Sequence, residues 1–479
     1  MDAREAGNRE AVMSRSRCWV ALLLISLAAC RTTPEPRVEA AGSAAEAVAI
    51  AAIDRFADSL IRRVPVAGMS IVVTRDGRTI LSKGYGVADA ATGRAMTPTT
   101  STRIGSITKT FTALAILKLV EQQRVDLDAD IRKYVPELTL PPVTVRQALN
   151  HTSGLPDHER AAIAQWMTDR KPITKEFVTG FLESQPSRPA GQAFVYNNAG
   201  FHLLGLVVEK VSGVSYEDFV EREIIRPVGL NATWLTRRPV NTFESKNYYL
   251  DSARLTNDDA WDLPGIWAAG GMFSSTQDLA TLLRAMATGK VVAAPTFERM
   301  VSPTTLPSGI RADYGLGIRL GAIAGHPKWG HTGSARSTRA AAAYYPGDSL
   351  AVVVLMNTEH EDMTIVATDI EGRVARTILG VSTTRRTDLR LSVAEAAAYA
   401  GTYADPAVQN VIADRDGVLR LSRVGSASPP VPLLYQGGDV WADPEYAEFL
   451  FVFQKRAGRA IGLARYDNGW FVGVRSRVE

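Results

Sequence analysis

Residues 103–111 read R-I-G-S-I-T-K-T-F, and the fold turns on whether Ser106 and Lys109 are surface decoration or the two halves of one nucleophile. The run that follows, T-F-T-A-L-A-I-L-K-L-V-E-Q-Q, is apolar on nearly every side except its end, which predicts a helix buried in the middle of a domain. Ser106 and Lys109 start that helix. Residues three apart on a helix share a face, with Cβ atoms about 5 to 6 Å apart, so the ammonium can reach the hydroxyl. The first turn also leaves backbone N–H groups without an intrahelical acceptor, and the dipole there favours developing negative charge. A serine so placed gains a base and part of an oxyanion hole together. The spacing alone is weak evidence, since ordinary Ser and Lys usage gives on the order of one S-x-x-K in a chain this long. Ser106 as a helix cap with Lys109 solvated would explain it equally well.

Outward from this point the chain alternates helix and strand signals. From about Ala45, A-A-E-A-V-A-I-A-A-I-D-R-F-A-D-S-L-I-R-R-V has helical spacing and stops at Pro65. G-M-S-I-V-V-T-R and R-T-I-L-S-K-G-Y-G flank Asp76-Gly77, a strong hairpin signal. Further helices are marked by A-G-F-H-L-L-G-L-V-V-E-K-V-S-G, ending at Gly213, and T-Q-D-L-A-T-L-L-R-A-M-A-T-G-K, stopped at Gly289. R-A-A-A-A-Y-Y-P and S-L-A-V-V-V-L-M-N make a second hairpin around Pro346-Gly347-Asp348. Beyond Gly380, Ser392 with Glu395 forms a capping box, and the rest is short alternating runs such as F-L-F-V-F and W-F-V-G-V. The expected class is α+β: an antiparallel sheet flanked by helices, with a mostly helical subdomain, plus a small C-terminal all-β domain. The expected division is 46–385 for the main domain and 390–479 for the β-domain.

Bulk composition narrows the function. The chain has 479 residues, is 46% hydrophobic and 22% charged, and carries a formal charge of +4, an ordinary globular profile. No Lys/Arg cluster of the kind that follows phosphate backbones is present, so nucleic acid is not an expected partner. Both cysteines, Cys18 and Cys30, lie in the first thirty residues, and the six histidines never form H-x-H or H-E-x-x-H. No metal and no cofactor is expected.

The N-terminus reads as an address. Arg15 and Arg17 precede C-W-V-A-L-L-L-I-S-L-A-A, short for a membrane span but the length of a secretory signal core. Leu27-Ala28-Ala29-Cys30 resembles the bacterial lipoprotein box, which implies lipidation at Cys30 and export. A start at Met13 gives the more compact leader, because Asp2, Glu5 and Glu10 are unusual in one. Residues 1–30 are thus taken as a signal segment and 31–45 as a flexible tether. Arg31, where an inner-membrane retention signal would carry Asp, points to a periplasm-facing outer-membrane location.

Two more motifs follow in order. Tyr196-Asn197-Asn198 lies just before a helix, where a phenol and a carboxamide two apart can point the same way; a capping Asn beside a core Tyr is the plainer alternative. Tyr466-Asp467-Asn468 has similar spelling but precedes Gly469 and reads as a hairpin turn. His331-Thr332-Gly333 is expected at the start of a strand, its glycine letting substrate lie against the backbone and the Ser334 N–H completing an oxyanion hole. His151-Thr152-Ser153-Gly154 is taken as a loop, Arg336 and Arg339 as surface residues in preference to a carboxylate anchor, and Trp261 and Trp267 as core in preference to cleft lining.

S-I-T-K, Y-N-N and H-T-G in this order resemble the signature elements of the serine β-lactamase and penicillin-binding-protein superfamily, in the branch of class C β-lactamases, D-alanyl-D-alanine carboxypeptidases and esterases. N-H-T-S-G-L-P at 150–156, P-V-G-L-N-A-T-W at 227–234 and G-G-M-F-S-S-T-Q-D-L-A at 270–280 match it too, and the likeness spans roughly 46–380. The resemblance implies that Ser106 attacks a carbonyl to form an acyl-enzyme, Lys109 and Tyr196 share the proton transfers, and Asn198 holds Lys109 and the substrate. It also implies substrate binding by His331, Thr332, Gly333 and Ser334, with the Ser106 and Ser334 N–H groups as oxyanion donors. His331 departs from the lysine of many such β-lactamases; being only partly charged near neutrality, it leaves carboxypeptidase or esterase chemistry open. The implied substrate is a small molecule or a peptidoglycan peptide. A catalytically silent relative that binds peptidoglycan or a partner through the same cleft is the alternative. A Ser-His-Asp enzyme would need a G-x-S-x-G elbow, which Ser106 lacks.

Overall fold

The computed structural model describes residues 44–63, 66–169, 173–235, 243–251, 254–257, 265–360, 366–382, 385–406, 408–446 and 448–478. Cys30, the leader, residues 31–43 of the tether and Trp261 lie outside the described residues, while Ala44 and Ala45, expected in the tether, are already helical. The middle of a large antiparallel sheet is built from β1 (Gly68–Arg75), β2 (Arg78–Asp89), β3 (Arg319–Ile323), β4 (His326–Ala335), β5 (Thr338–Tyr345), β6 (Leu350–Met356) and β7 (Trp470–Val478). Across the sheet they run β7-β3-β4-β5-β6-β1-β2. Helices α1 (Ala44–Arg63), α2 (Thr108–Glu121), α3 (Ala199–Ser212) and α4 (Ala367–Leu379) frame it.

Turn chemistry sets the register. Asp76 and Gly77 both have positive φ, 51° and 77°, the left-handed pair that a two-residue hairpin needs, and Arg75 then pairs with Arg78. Ala324-Gly325 repeats the device between β3 and β4, with φ 48° and 87°. That second turn corrects one expectation: β4 opens at His326, so His331-Thr332-Gly333 lies well inside the strand and not at its start. Asn468 and Gly469, φ 47° and 71°, close the hairpin that ends in β7.

The sheet separates two cores. Along β6, Ala351, Val353 and Leu355 face the cluster that holds Phe111, Leu114 and Phe201. Leu350, Val352, Val354 and Met356 face α1 and α4 through Ile53, Leu60, Ile370 and Val374. This is the two-residue alternation of a strand covered on both sides, which is why every residue of the run is apolar. Helix α2 is buried from Thr108 through Leu117 and is the helix around which the helical subdomain packs. Among the described residues no helix is long and apolar enough to cross a membrane.

The C-terminal strands enclose a core of their own around Tyr403, Trp441, Phe453 and Leu463. They also join the main sheet, where Trp470 of β7 pairs with Gly321 of β3. Behind that joint lies a buried ion pair: Lys328 Nζ donates to Glu371 Oε2 and to the Asn468 carbonyl, each at 2.8 Å. The Trp470 indole donates to the same carboxylate at 2.9 Å and the Tyr345 hydroxyl at 2.5 Å. With both side chains fully buried, removing one partner strands the other charge. Glu371→Ala should therefore cost about 3–5 kcal/mol of unfolding free energy in denaturant melts. A cost below about 1 kcal/mol, the size of one ordinary hydrogen bond, would show that the ammonium finds another partner.

Candidate active site

Ser106 occupies a single 3-10 turn, Gly105–Ile107, that runs directly into α2. The turn is pressed against β4. A Cβ on Gly333 would sit 2.0 Å from the Ile104 carbonyl oxygen, and one on Gly105, whose φ is 49°, would sit 2.7 Å from the Ser334 carbonyl oxygen. Gly333 is thus needed for the turn to approach the strand, and it also lines the cavity beside Ser106.

Lys109 is fully buried, and its three ammonium donors meet three acceptors: Ser106 Oγ at 3.0 Å, Asn198 Oδ1 at 2.7 Å and the Ala269 carbonyl at 2.8 Å. The nitrogen also lies 4.9 Å from the Tyr196 ring centroid and 5.4 Å from that of Phe201. Burial opposes the charge more than these groups restore it, so the lysine is held below its ordinary value. Asn198 stands at the N-cap of α3 yet makes no side-chain cap bond. Its Nδ2 donates instead to Glu159 Oε2 at 3.0 Å. Asn197, its neighbour, ties the loop down by donating to the Leu155 carbonyl at 3.0 Å.

Tyr196 has a half-buried ring, but its hydroxyl is shut from solvent and meets no acceptor or donor at hydrogen-bonding geometry. Burial pushes the phenol up; Lys109 and then Arg319, with the nearby Ser106 hydroxyl, outweigh it and bring it below the ordinary tyrosine value. The Arg319 guanidinium lies 4.9 Å from that ring centroid. His151 packs on the ring at 4.2 Å, and its own backbone takes the left-handed conformation at φ 59°.

The three sequence motifs border a cavity of about 250 Å³ lined by Ser106, Tyr196, Arg319, Thr332, Gly333 and Ser334, among others. A larger space of about 550 Å³ between β3, β4 and the C-terminal strands does not include Ser106, so the smaller cavity is the one that bears on the chemistry. Lys109 and Asn198 stand behind the wall. His331 is corrected: it is not among the lining residues, and both ring nitrogens are engaged inside the fold, Nδ1 with the Thr332 carbonyl at 2.6 Å and Nε2 with the Tyr314 hydroxyl at 3.0 Å. Burial, then the Arg319 and Lys109 charges, hold it well below the ordinary histidine value, so it is neutral at physiological pH. Arg336 is exposed, while Arg339 reaches the cavity but is ion-paired to Glu359. Arg319 has no carboxylate partner among the described residues. Trp267 faces away, its indole donating to Glu217 at 2.9 Å.

Sequence reasoning missed Glu159, Arg319, Tyr314 and the packing role of His151. His151 had a signal in N-H-T-S-G-L-P; Arg319, in G-L-G-I-R-L, had only its charge among apolar neighbours.

A sheet of this topology with a Ser–Lys–Tyr cluster at the N-terminus of a buried helix is the arrangement of the β-lactamase and penicillin-binding-protein superfamily. The family described as Beta-lactamase matches residues 53–377, more than half of the chain, and the chain belongs to that family. It is 26% identical over 263 residues to a penicillin-binding protein of Bacillus subtilis (strain 168), covering 52% of this chain and 58% of that protein. Protein flp of Staphylococcus aureus (strain N315) is 27% identical over 238 residues, 47% of each chain. The chain thus spans about half the length of these curated relatives. Among solved structures, an octameric penicillin-binding protein homologue from Pyrococcus abyssi aligns at TM-score 0.63 and 26% identity over 89% of this chain and 99% of its own. D-amino acid amidase from Ochrobactrum anthropi SV3, in complex with L-phenylalanine amide, aligns at 0.60 and 25% identity over 70% and 99%.

Burial, then the neighbouring Asp157, raises the Glu159 carboxyl above its ordinary value. A carboxyl raised in the folded state is neutral in both states below its unfolded pKa, and costs stability once pH rises through the folded value. Glu159→Gln keeps an acceptor for Asn198 without the charge. It should raise the melting temperature near neutral pH and lose that gain by about pH 4. A gain equal at both pH values, or a loss at neutrality, would contradict the assignment.

Proposed function

We propose that this chain is an exported, lipid-anchored serine hydrolase that opens an amide or ester carbonyl through an acyl-enzyme on Ser106. The observation that carries the reading is the buried Lys109 nitrogen 3.0 Å from the Ser106 hydroxyl. Water is excluded there, so the lysine is a proton acceptor in its neutral form, and Tyr196 is biased toward phenolate by nearby positive charge, Lys109 when protonated and Arg319, against its own burial. The two share one titration and together take the serine proton as Oγ adds to the carbonyl. The N–H groups of Ser106 and Ser334, both at the cavity wall, would receive the oxyanion. The same pair then returns the proton to the departing amine or alcohol, and a water, deprotonated in turn, hydrolyses the ester.

The substrate reading follows from charge and from relatives. A neutral, inward-facing His331 supplies no fixed cation to the cavity, whereas Arg319 does, which supports a substrate with a carboxylate or other electron-rich oxygen near the scissile bond. Relatives named as penicillin-binding proteins and a D-amino acid amidase support small amides or peptides, peptidoglycan stem peptides among them, ahead of simple esters. Export and attachment at Cys30, facing the periplasm at the outer membrane, rest on the L-A-A-C box and on Arg31 after it.

Soluble protein beginning at Arg31, incubated separately with a penicillin and with an activated short-chain ester, should gain the acyl mass on Ser106 and lose it with time. Ser106→Ala should show no adduct, and Lys109→Ala should slow acylation by about 10²–10⁴-fold. Absence of any adduct on folded protein with both reagents, or full activity in Lys109→Ala, would overturn the mechanism.

A further inference from the structure

The C-terminal strands carry no motif, yet one of their residues reaches the active site. Phe471, the second residue of β7, is fully buried, and its carbonyl accepts a hydrogen bond from Arg319 Nη1. Its ring meets Phe194 edge to face at 5.2 Å. Phe194 stands two residues before Tyr196 and contacts His151 at 5.9 Å and Tyr314 at 5.6 Å. Tyr466, on the strand that precedes β7, closes the other side: its ring lies 5.8 Å from Phe471, and its hydroxyl donates to Asp313 at 2.6 Å. The turn between the two strands leaves no slack, since a Cβ on Gly321 would stand 1.8 Å from the Gly469 carbonyl oxygen. The arginine is therefore attached at its backbone to β3 and at its guanidinium to β7.

We propose that the C-terminal strands are a positioning element of the active site: the Phe471 carbonyl and the Phe471–Phe194 ring contact hold the Arg319 guanidinium over the Tyr196 ring at the cavity wall. Without that clamp, a long cationic side chain beside a cavity would be held only by the faces of the Tyr196 and Tyr314 rings, because no carboxylate among the described residues pairs with its charge. Tyr196 is faced by Lys109 from α2, by Arg319 from β3, by His331 from β4, and by His151 and Tyr314 from the connecting segments. The three aromatic or imidazole neighbours in that set are uncharged. Lys109, in its ammonium form, and then Arg319 bear on its acidity, and Phe471 governs the position of the arginine. Phe471 is thus a positioning residue, and its importance for catalysis, though not its geometry, rests on the hydrolase reading above.

The test is a titration of Tyr196 that does not depend on activity. Near-ultraviolet phenolate absorbance of the full folded domain, minus that of Tyr196→Phe, isolates this phenol. It should titrate below the ordinary value of about 10, and Arg319→Gln should move it up by about one unit. Phe471→Ala should move it the same way, and Phe471→Leu, which keeps apolar bulk without the ring contact, by less; the leucine variant carries the test if the alanine variant fails to fold. Both Phe471 variants keep the backbone carbonyl, so a shift in Arg319→Gln with none in either would show that the ring contact does not position the arginine and overturn the proposal, as would no shift in any variant. Ester turnover measured alongside separates the two readings. Phenol shifts in a protein whose turnover ignores Ser106→Ala would sink the hydrolase mechanism and leave the clamp standing.

Discussion

Everything at this site depends on one buried lysine. An ammonium taken out of water is tolerated only where its donors are all met, and Lys109 meets Ser106, Asn198 and the Ala269 carbonyl at once. Those acceptors come from the turn before α2, the loop before α3 and the short helix Trp267–Gly270. Because they lie far apart in sequence, the lysine records the closure of the whole helical subdomain against the sheet. The same burial that makes it costly makes it chemically useful, since a lysine biased toward its neutral form can accept a proton from a hydroxyl at hydrogen-bond distance.

Close backbone approach is the second requirement. The turn carrying Ser106 lies against β4 only because Gly105 and Gly333 lack side chains at the two points of contact. That contact brings the first-turn N–H of the helix and the strand N–H of Ser334 to the edge of one cavity. A base without this alignment would generate an alkoxide with nothing to receive the charge of the next step. The C-terminal strands extend the same logic to the far wall, where β7 reaches the arginine beside Tyr196.

Much of this was legible in the sequence. Local signals gave the hairpins at Asp76-Gly77 and Pro346-Gly347-Asp348, the buried character of α2 and the Gly213 stop of α3, because each is fixed within a few residues by turn chemistry or periodicity. The Ser106–Lys109 proximity was legible for the same reason, being a property of one helix turn. What remained hidden depends on pairing between distant segments. The inward turn of His331 is set by Tyr314 from the segment before β3, the hold on Asn198 by Glu159 from another helix, and the position of Arg319 by Phe471, 152 residues away in the chain. The glycine of His331-Thr332-Gly333 has a second role that nothing local reveals, since Ile104 occupies the space its side chain would take.

The central claim is that Lys109 is poised to be neutral when Ser106 reacts. The most direct measurement is carbon NMR of the protein labelled at lysine Cε, followed through a pH titration and compared with Lys109→Arg to identify the resonance. The account predicts that the Lys109 signal titrates clearly below the ordinary lysine value of about 10.4. A Lys109 resonance that titrates at or above that value would mean the nitrogen stays an ammonium, and would contradict its role as proton acceptor for Ser106.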